Sequence, residues 1–253
     1  MTKDHYVNTS PMKTTAKVLI GITLLIIVAI LGWYFLGMTD SDPSAAPTPP
    51  SQGTVTQLTE QEDPSTIQII AFGDSLTAGL GLPLAESYPA QLEQRLKDLG
   101  QNVQVINSGV SGETTAGNNA RAEFIRSQNP DMVILGIGGN DALRFLSVEE
   151  AYTNMQTTLE TLLTGDNPPK VLLLNIQAPL NAGIEYKESF DALYPKLASE
   201  FNVPLVPFVT EEVARNPELL QADGIHPTGD GYTLLVNTYI LPAIKQLLPV
   251  TTP

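Results

Sequence analysis

Short apolar stretches separated by amphipathic segments constrain this chain more than any other feature. Two of them, Val-Ile-Leu-Gly-Ile at 133–137 and Val-Leu-Leu-Leu-Asn-Ile at 171–176, are apolar at nearly every position. A strand with one wet face alternates apolar and polar residues. Runs such as these instead suit strands of a parallel sheet covered on both faces. The spacing predicts strands over 67–72, 103–107, 132–137, 171–176 and 203–206. Between and after them it predicts helices over 88–99, 117–128, 148–163, 186–200 and 231–247. Alternating strands and helices define an α/β chain, folded as an open three-layer α/β/α sandwich. Active sites in such sheets gather at the carboxyl ends of the strands.

The region ahead of this domain reads differently. Residues 18–39 carry no charge, and 18–36 are almost continuously apolar, long enough for one membrane-spanning helix of about 20 residues. Lys3, Lys13 and Lys17 precede the run, while Asp40 and Asp42 follow it. That bias places a head, 1–17, in the cytoplasm and everything after the helix outside it. Trp33 and Tyr34 stand where an interfacial aromatic belt would lie. The alternative is a cleaved signal and a secreted form. Against it, the run exceeds the 7–15 apolar residues of such signals, and Pro47 follows the nearest small-residue site, Ser44-Ala45-Ala46. Residues 40–65, rich in Pro, Ser and Thr, read as a disordered tether. The expected organisation is therefore a membrane anchor at 18–39, a linker, and one extracytoplasmic (periplasmic or extracellular) domain over 66–253.

Charge and cysteine usage narrow the function. The net charge is −14, and because 1–17 carry +2 the remainder carries −16. An acidic domain repels nucleic acid and anionic membrane surfaces, although acidic surfaces also serve plain solubility. The chain has no cysteine, which excludes disulfides, thiolate metal sites and a thiol nucleophile.

Four segments carry residues suited to chemistry. The first strand runs into Gly73-Asp74-Ser75-Leu76, where a serine hydroxyl can be presented at the top of the sheet. The same residues also make ordinary turns. A serine needs an adjacent base, and of the two histidines only His226, in Asp223-Gly224-Ile225-His226-Pro227, belongs to the domain. Pro227 favours extended backbone at His226, and Asp223 can curl back to orient the ring. The plain alternative is a surface loop. After the third strand, Gly138-Gly139-Asn140-Asp141 places an amide that can donate to a developing oxyanion. After the second, residues 107–114 (NSGVSGET) offer glycines that allow close approach of a backbone N–H. Asp74 and Asp141 read as turn stabilisers, while Arg144 is either a steering cation or merely exposed.

Together the blocks GDSLTAG, SGVSGETTAG, GIGGND and DGIHP resemble the four signatures of the SGNH (GDSL) hydrolases. The likeness extends through ESYPAQLEQRL and YPKLASEFNVPLVPF to the bacterial thioesterase, lysophospholipase and arylesterase branch, over nearly all of 66–248. This resemblance implies a flavodoxin-like fold with a five-stranded parallel sheet. It implies Ser75 as nucleophile, Asp223 and His226 completing the triad, and an oxyanion hole of Ser75 N–H, Gly112 N–H and the Asn140 side chain. The implied substrates are small-molecule acyl esters or thioesters, cleaved without metal or cofactor. Two departures stand out. The hydrophobic run looks uncleaved, and the segment 142–146 looks shorter than in that branch, so chain-length preference is not carried over. The competing readings are a carbohydrate O-acetyl esterase or acyltransferase of the cell envelope, and a non-catalytic membrane-anchored binding module.

Overall fold

In the computed structural model, which describes residues 66–248, the apolar runs form five parallel strands. They are β1 (Ile67–Gly73), β2 (Val103–Gly109), β3 (Met132–Gly136), β4 (Lys170–Asn175) and β5 (Leu205–Pro207). Their order, β2-β1-β3-β4-β5, is the flavodoxin-like order. It reverses direction between β1 and β3, and the crevice there is where such sheets bind ligands. Register sharpens this point. Gly73 lies opposite both Gly109 and Gly136, so the three strands flanking the crevice end level with one another.

The helices are α1 (Ser75–Ala78), α2 (Tyr88–Asp98), α3 (Thr115–Ser127), α4 (Gly139–Leu143), α5 (Val148–Leu163), α6 (Ile184–Asp191), α7 (Leu193–Phe201), α8 (Glu211–Ala214), α9 (Gly229–Leu235) and α10 (Leu241–Leu247). Helices α3, α5 and α7 pack together over one face of the sheet, while α2, α9 and α10 cover the other. Between those layers Ile69, Ile70, Phe72, Val133, Ile134, Leu135, Leu172, Leu173 and Leu174 are fully buried. The unbroken apolar character of these strands follows from that double cover.

Some boundaries differ from the sequence expectation for physical reasons. The helix expected over 186–200 is two helices broken at Ala192. Pro195 has no N–H to offer the carbonyl four residues back, so the ladder is interrupted one turn ahead of it. The last helix starts at Gly229 and loosens to π-helical geometry over Val236–Ile240, just before Pro242. The fifth strand pairs only from Leu205, and α1, α4 and α8 are too short to show a helical period. The expected head at 1–17, transmembrane anchor at 18–39 and linker at 40–65 lie outside the described residues. Among the described residues no helix is long and apolar enough to cross a membrane.

Candidate active site

The end of β1 is built so that only glycine fits. A Cβ on Gly73 would sit 2.1 Å from Thr77 Oγ1 and 2.4 Å from the Gly136 carbonyl oxygen. The chain therefore turns tightly into α1, with Ser75 as its first residue. Asp74 caps that turn, its Oδ1 accepting the Leu76 N–H at 3.0 Å. Tyr232, from α9, donates its hydroxyl to the Leu76 carbonyl at 2.7 Å. The Thr77 and Tyr88 hydroxyls lie 3.4 Å apart beneath. All of these side chains are buried or nearly so, which fixes the serine turn from below.

The histidine comes from a loop that folds back on itself. Residues Leu220 and Pro227 form an antiparallel bridge, and the Gln221 N–H donates to the His226 carbonyl at 2.7 Å. Gly224, at φ +69°, makes the tip. Asp223 accepts from the Ile225 N–H at 2.9 Å and the His226 N–H at 3.0 Å through one oxygen. Its other oxygen meets His226 Nδ1 at 2.6 Å. The opposite ring nitrogen, Nε2, lies 2.8 Å from Ser75 Oγ. An Nδ1–H donated to Asp223 leaves Nε2 as the acceptor for the serine hydroxyl, the arrangement a general base needs.

Electrostatics separate the two carboxylates nearest the serine. Partial burial works against ionisation of Asp223, but the His226 and Ile225 N–H groups and the imidazole outweigh it and lower its pKa to about 2. Asp74 goes the other way. Burial raises it to about 6, against weaker opposing pulls from the Leu76 N–H, His226 and the Gly139 N–H. Its Oδ2 lies against Gly139 without a hydrogen bond of good geometry. The sequence reading of Asp74 as a turn residue holds for its capping bond. It did not anticipate this unpaired oxygen, which depends on burial.

The remaining residues surround the crevice. Asn140 is half-buried on α4, which Gly138 enters at φ +107°. Gly112 adopts φ +83° in the loop after β2; space around it is open, so the backbone angle rather than crowding requires glycine. Asp141, buried, accepts the Thr115 N–H at 2.8 Å and its hydroxyl at 2.7 Å. Arg144 Nη2 donates to the Gly112 carbonyl at 2.9 Å and to Asn140 Oδ1 at 3.3 Å. Sequence reasoning left Arg144 undecided, because its partner at 112 is 32 residues away.

Ser75 and Asn140 line one cavity of about 400 Å³, with Leu76, Leu143, Ile176, Ala178, Val209 and Ile225 among its walls. Among the described residues no cluster of His, Asp or Glu could hold a metal ion.

A serine hydrogen-bonded to a histidine that is itself held by a carboxylate, opening onto an apolar cavity at the carboxyl edge of an α/β sheet, defines a serine hydrolase. Residues 71–234 match the model of the GDSL-like Lipase/Acylhydrolase family, to which this chain belongs, and it is an ester-hydrolysing enzyme. It is 35% identical to Thioesterase 1/protease 1/lysophospholipase L1 of Escherichia coli K12, over 72% of this chain and 84% of that protein. It is 34% identical to an arylesterase of Vibrio mimicus, over 71% of this chain and 90% of the relative. Among solved structures, AlinE4, an SGNH-hydrolase family esterase, superposes with a TM-score of 0.59 at 43% identity, covering 73% of this chain and 98% of its own.

Proposed function

We propose that Ser75 attacks the carbonyl carbon of an aliphatic acyl ester or thioester, with His226 as base and Asp223 as the group that orients and stabilises the imidazolium. As the Ser75 Oγ–C bond forms, the hydroxyl proton passes to His226 Nε2, and the carbonyl oxygen becomes an oxyanion. The Ser75 N–H, the Gly112 N–H and the Asn140 amide hold that charge. His226 then gives the proton to the departing alcohol or thiol, leaving an acyl group on Ser75. Water, deprotonated by the same nitrogen, releases the acid and restores the serine.

The observation that carries this reading is the unbroken run from Ser75 Oγ through His226 to Asp223, at 2.8 and 2.6 Å. The cavity supports the substrate class. Its volume of about 400 Å³ is in the range of ligand pockets, and its aliphatic walls suit a hydrocarbon chain longer than acetyl. The names of the relatives, thioesterase, lysophospholipase and arylesterase, agree with such a substrate. The apolar run at 18–36, with lysines before it and aspartates after, supports an anchored enzyme whose catalytic unit acts outside the cytoplasm.

The test is hydrolysis of p-nitrophenyl esters from acetyl to palmitoyl by the full chain, beside Ser75→Ala and His226→Ala. Each variant is expected to lose several orders of magnitude in kcat, with the double variant no worse than either single one. Full activity in Ser75→Ala would refute the mechanism, and a rate falling steeply beyond acetyl would favour the sugar O-acetyl esterase reading.

A further inference from the structure

We infer that Arg144 is a positioning residue for the oxyanion hole, setting the orientation of the Asn140 amide and tying it to the Gly112 loop. This rests on the proposed roles of Asn140 and Gly112. Asn140 and Arg144 stand one turn apart on and just beyond α4, a helix of only five residues. From that position a single guanidinium nitrogen, Nη2, reaches both the Gly112 carbonyl at 2.9 Å and the Asn140 side chain at 3.3 Å.

The chemistry of the pair decides which way the amide faces. A guanidinium has donors and no acceptor, so the amide atom turned towards it is the oxygen. The Nδ2 group is then directed away from Arg144. Asn140 also lines the cavity that Ser75 opens onto, and Nδ2 is the only donor its side chain can offer there. Among the described residues no other hydrogen bond holds the Asn140 side chain. Without Arg144 the amide is free to rotate and to present its oxygen to a developing negative charge, which would oppose the reaction.

The same guanidinium joins two segments that come from different strands. Gly112 belongs to the loop after β2, and Asn140 to the helix after β3. A second tie lies beneath, where Asp141 accepts both the N–H and the hydroxyl of Thr115 at 2.8 and 2.7 Å. That lower tie is buried and holds the backbone segments together. Arg144 is exposed, so it can be removed without opening the core, and its loss acts on the upper level where the two proposed donors stand.

The experiment is steady-state kinetics of the full chain on a p-nitrophenyl ester, for Arg144→Ala, Arg144→Lys, Asn140→Ala and the double variant Asn140→Ala/Arg144→Ala. Arg144→Ala is expected to lower kcat by about tenfold to a hundredfold, part of the roughly 10²–10³ that one oxyanion donor supplies. KM should stay within about twofold, since the lost interaction belongs to the transition state. Added millimolar guanidinium should restore part of kcat, and Arg144→Lys should keep more kcat than Arg144→Ala, because one ammonium can donate to both oxygens as the single Nη2 does. In the Asn140→Ala background, removing Arg144 should cost much less than it does in the unaltered enzyme.

An unchanged kcat in Arg144→Ala, or full multiplication of the two losses in the double variant, would each overturn the inference. If Asn140→Ala itself retains full kcat, the oxyanion reading of Asn140 fails first and this inference falls with it. If Asn140→Ala is crippled and Arg144→Ala is not, this inference alone fails.

Discussion

The buried carboxyl of Asp74 should make part of this protein's stability rise as pH falls. In the folded chain burial moves it from the usual 3.8 to about 6. At about 1.4 kcal/mol for each pH unit of displacement, the penalty for keeping it ionised is at most about 3 kcal/mol. The sign follows from proton counting. Between pH 3.8 and about 6 the folded state binds more protons here than the unfolded chain, so stability declines as pH rises through that window. Above about 6 the penalty is fully present; below 3.8 it is gone. Asp223 has the opposite slope: its folded pKa of about 2 lies below 3.8, so its stabilisation is present above 3.8 and fades as pH falls towards 2. The measurement is urea unfolding of the full chain and of Asp74→Asn at pH 5 and pH 8, followed by tryptophan-independent far-ultraviolet circular dichroism. Neither slope alone isolates Asp74, because a chain of net charge −14 relaxes its self-repulsion as pH falls whatever stands at 74. The difference between the two proteins does isolate it, since any misfit of the amide beside Gly139 cancels between the two pH values. Asp74→Asn should gain relative stability on going from pH 5 to pH 8 by about 1.4 kcal/mol, the part of the penalty that develops above pH 5. An equal difference at both pH values would refute the argument and mean that Asp74 ionises in place without penalty.

Three further outcomes follow from geometry already described. Gly73→Ala places a methyl 2.4 Å from the Gly136 carbonyl oxygen, a backbone atom that cannot swing aside. A loss of about 3 kcal/mol in denaturant titration, together with loss of esterase activity, is expected. Tyr232→Phe removes the only side-chain donor to the Leu76 carbonyl among the described residues, and an unpaired buried acceptor should cost about 1–3 kcal/mol in the same titration. Along a series of straight-chain p-nitrophenyl esters, kcat/KM should rise about fourfold for each methylene, corresponding to about 0.8 kcal/mol of burial, and flatten once the cavity is full. A flat profile from acetyl onward would show that the apolar walls do not receive the acyl chain.

Much of the architecture could be read before any coordinates, because the relevant signals are local. An unbroken apolar run such as 171–176 reveals a doubly covered strand, and Asp223 three residues before His226 suggests a carboxylate that can reach its own ring. The interruption at Ala192 was also within reach, since Pro195 announces it. Other features depend on distant partners or on burial. Nothing near Asp74 in the chain signals that one of its oxygens is sealed off, and nothing near Arg144 points to Gly112. Phe145 and Val209 adopt positive φ, at 52° and 50°, a conformation that local preference argues against for a bulky or β-branched residue. Only tertiary packing could dictate it, and Val209 lines the cavity wall.

The separation of the two reacting side chains has a consequence for the chain during its synthesis. Ser75 stands near the start of the domain, and the imidazole proposed to activate it stands 151 residues later. Because β1 lies between β2 and β3, the strand neighbours of the serine turn are all present once β1, β2 and β3 have emerged. At that stage the hydroxyl lacks its proposed base. The Asp223–His226 loop arrives only with the last segment before α9, and Tyr232, which braces the serine turn, arrives with α9 itself. On the proposed mechanism a nascent or C-terminally truncated chain should be chemically silent however well its sheet has formed. On that mechanism, esterase activity reports that the final part of the domain has been made and has docked.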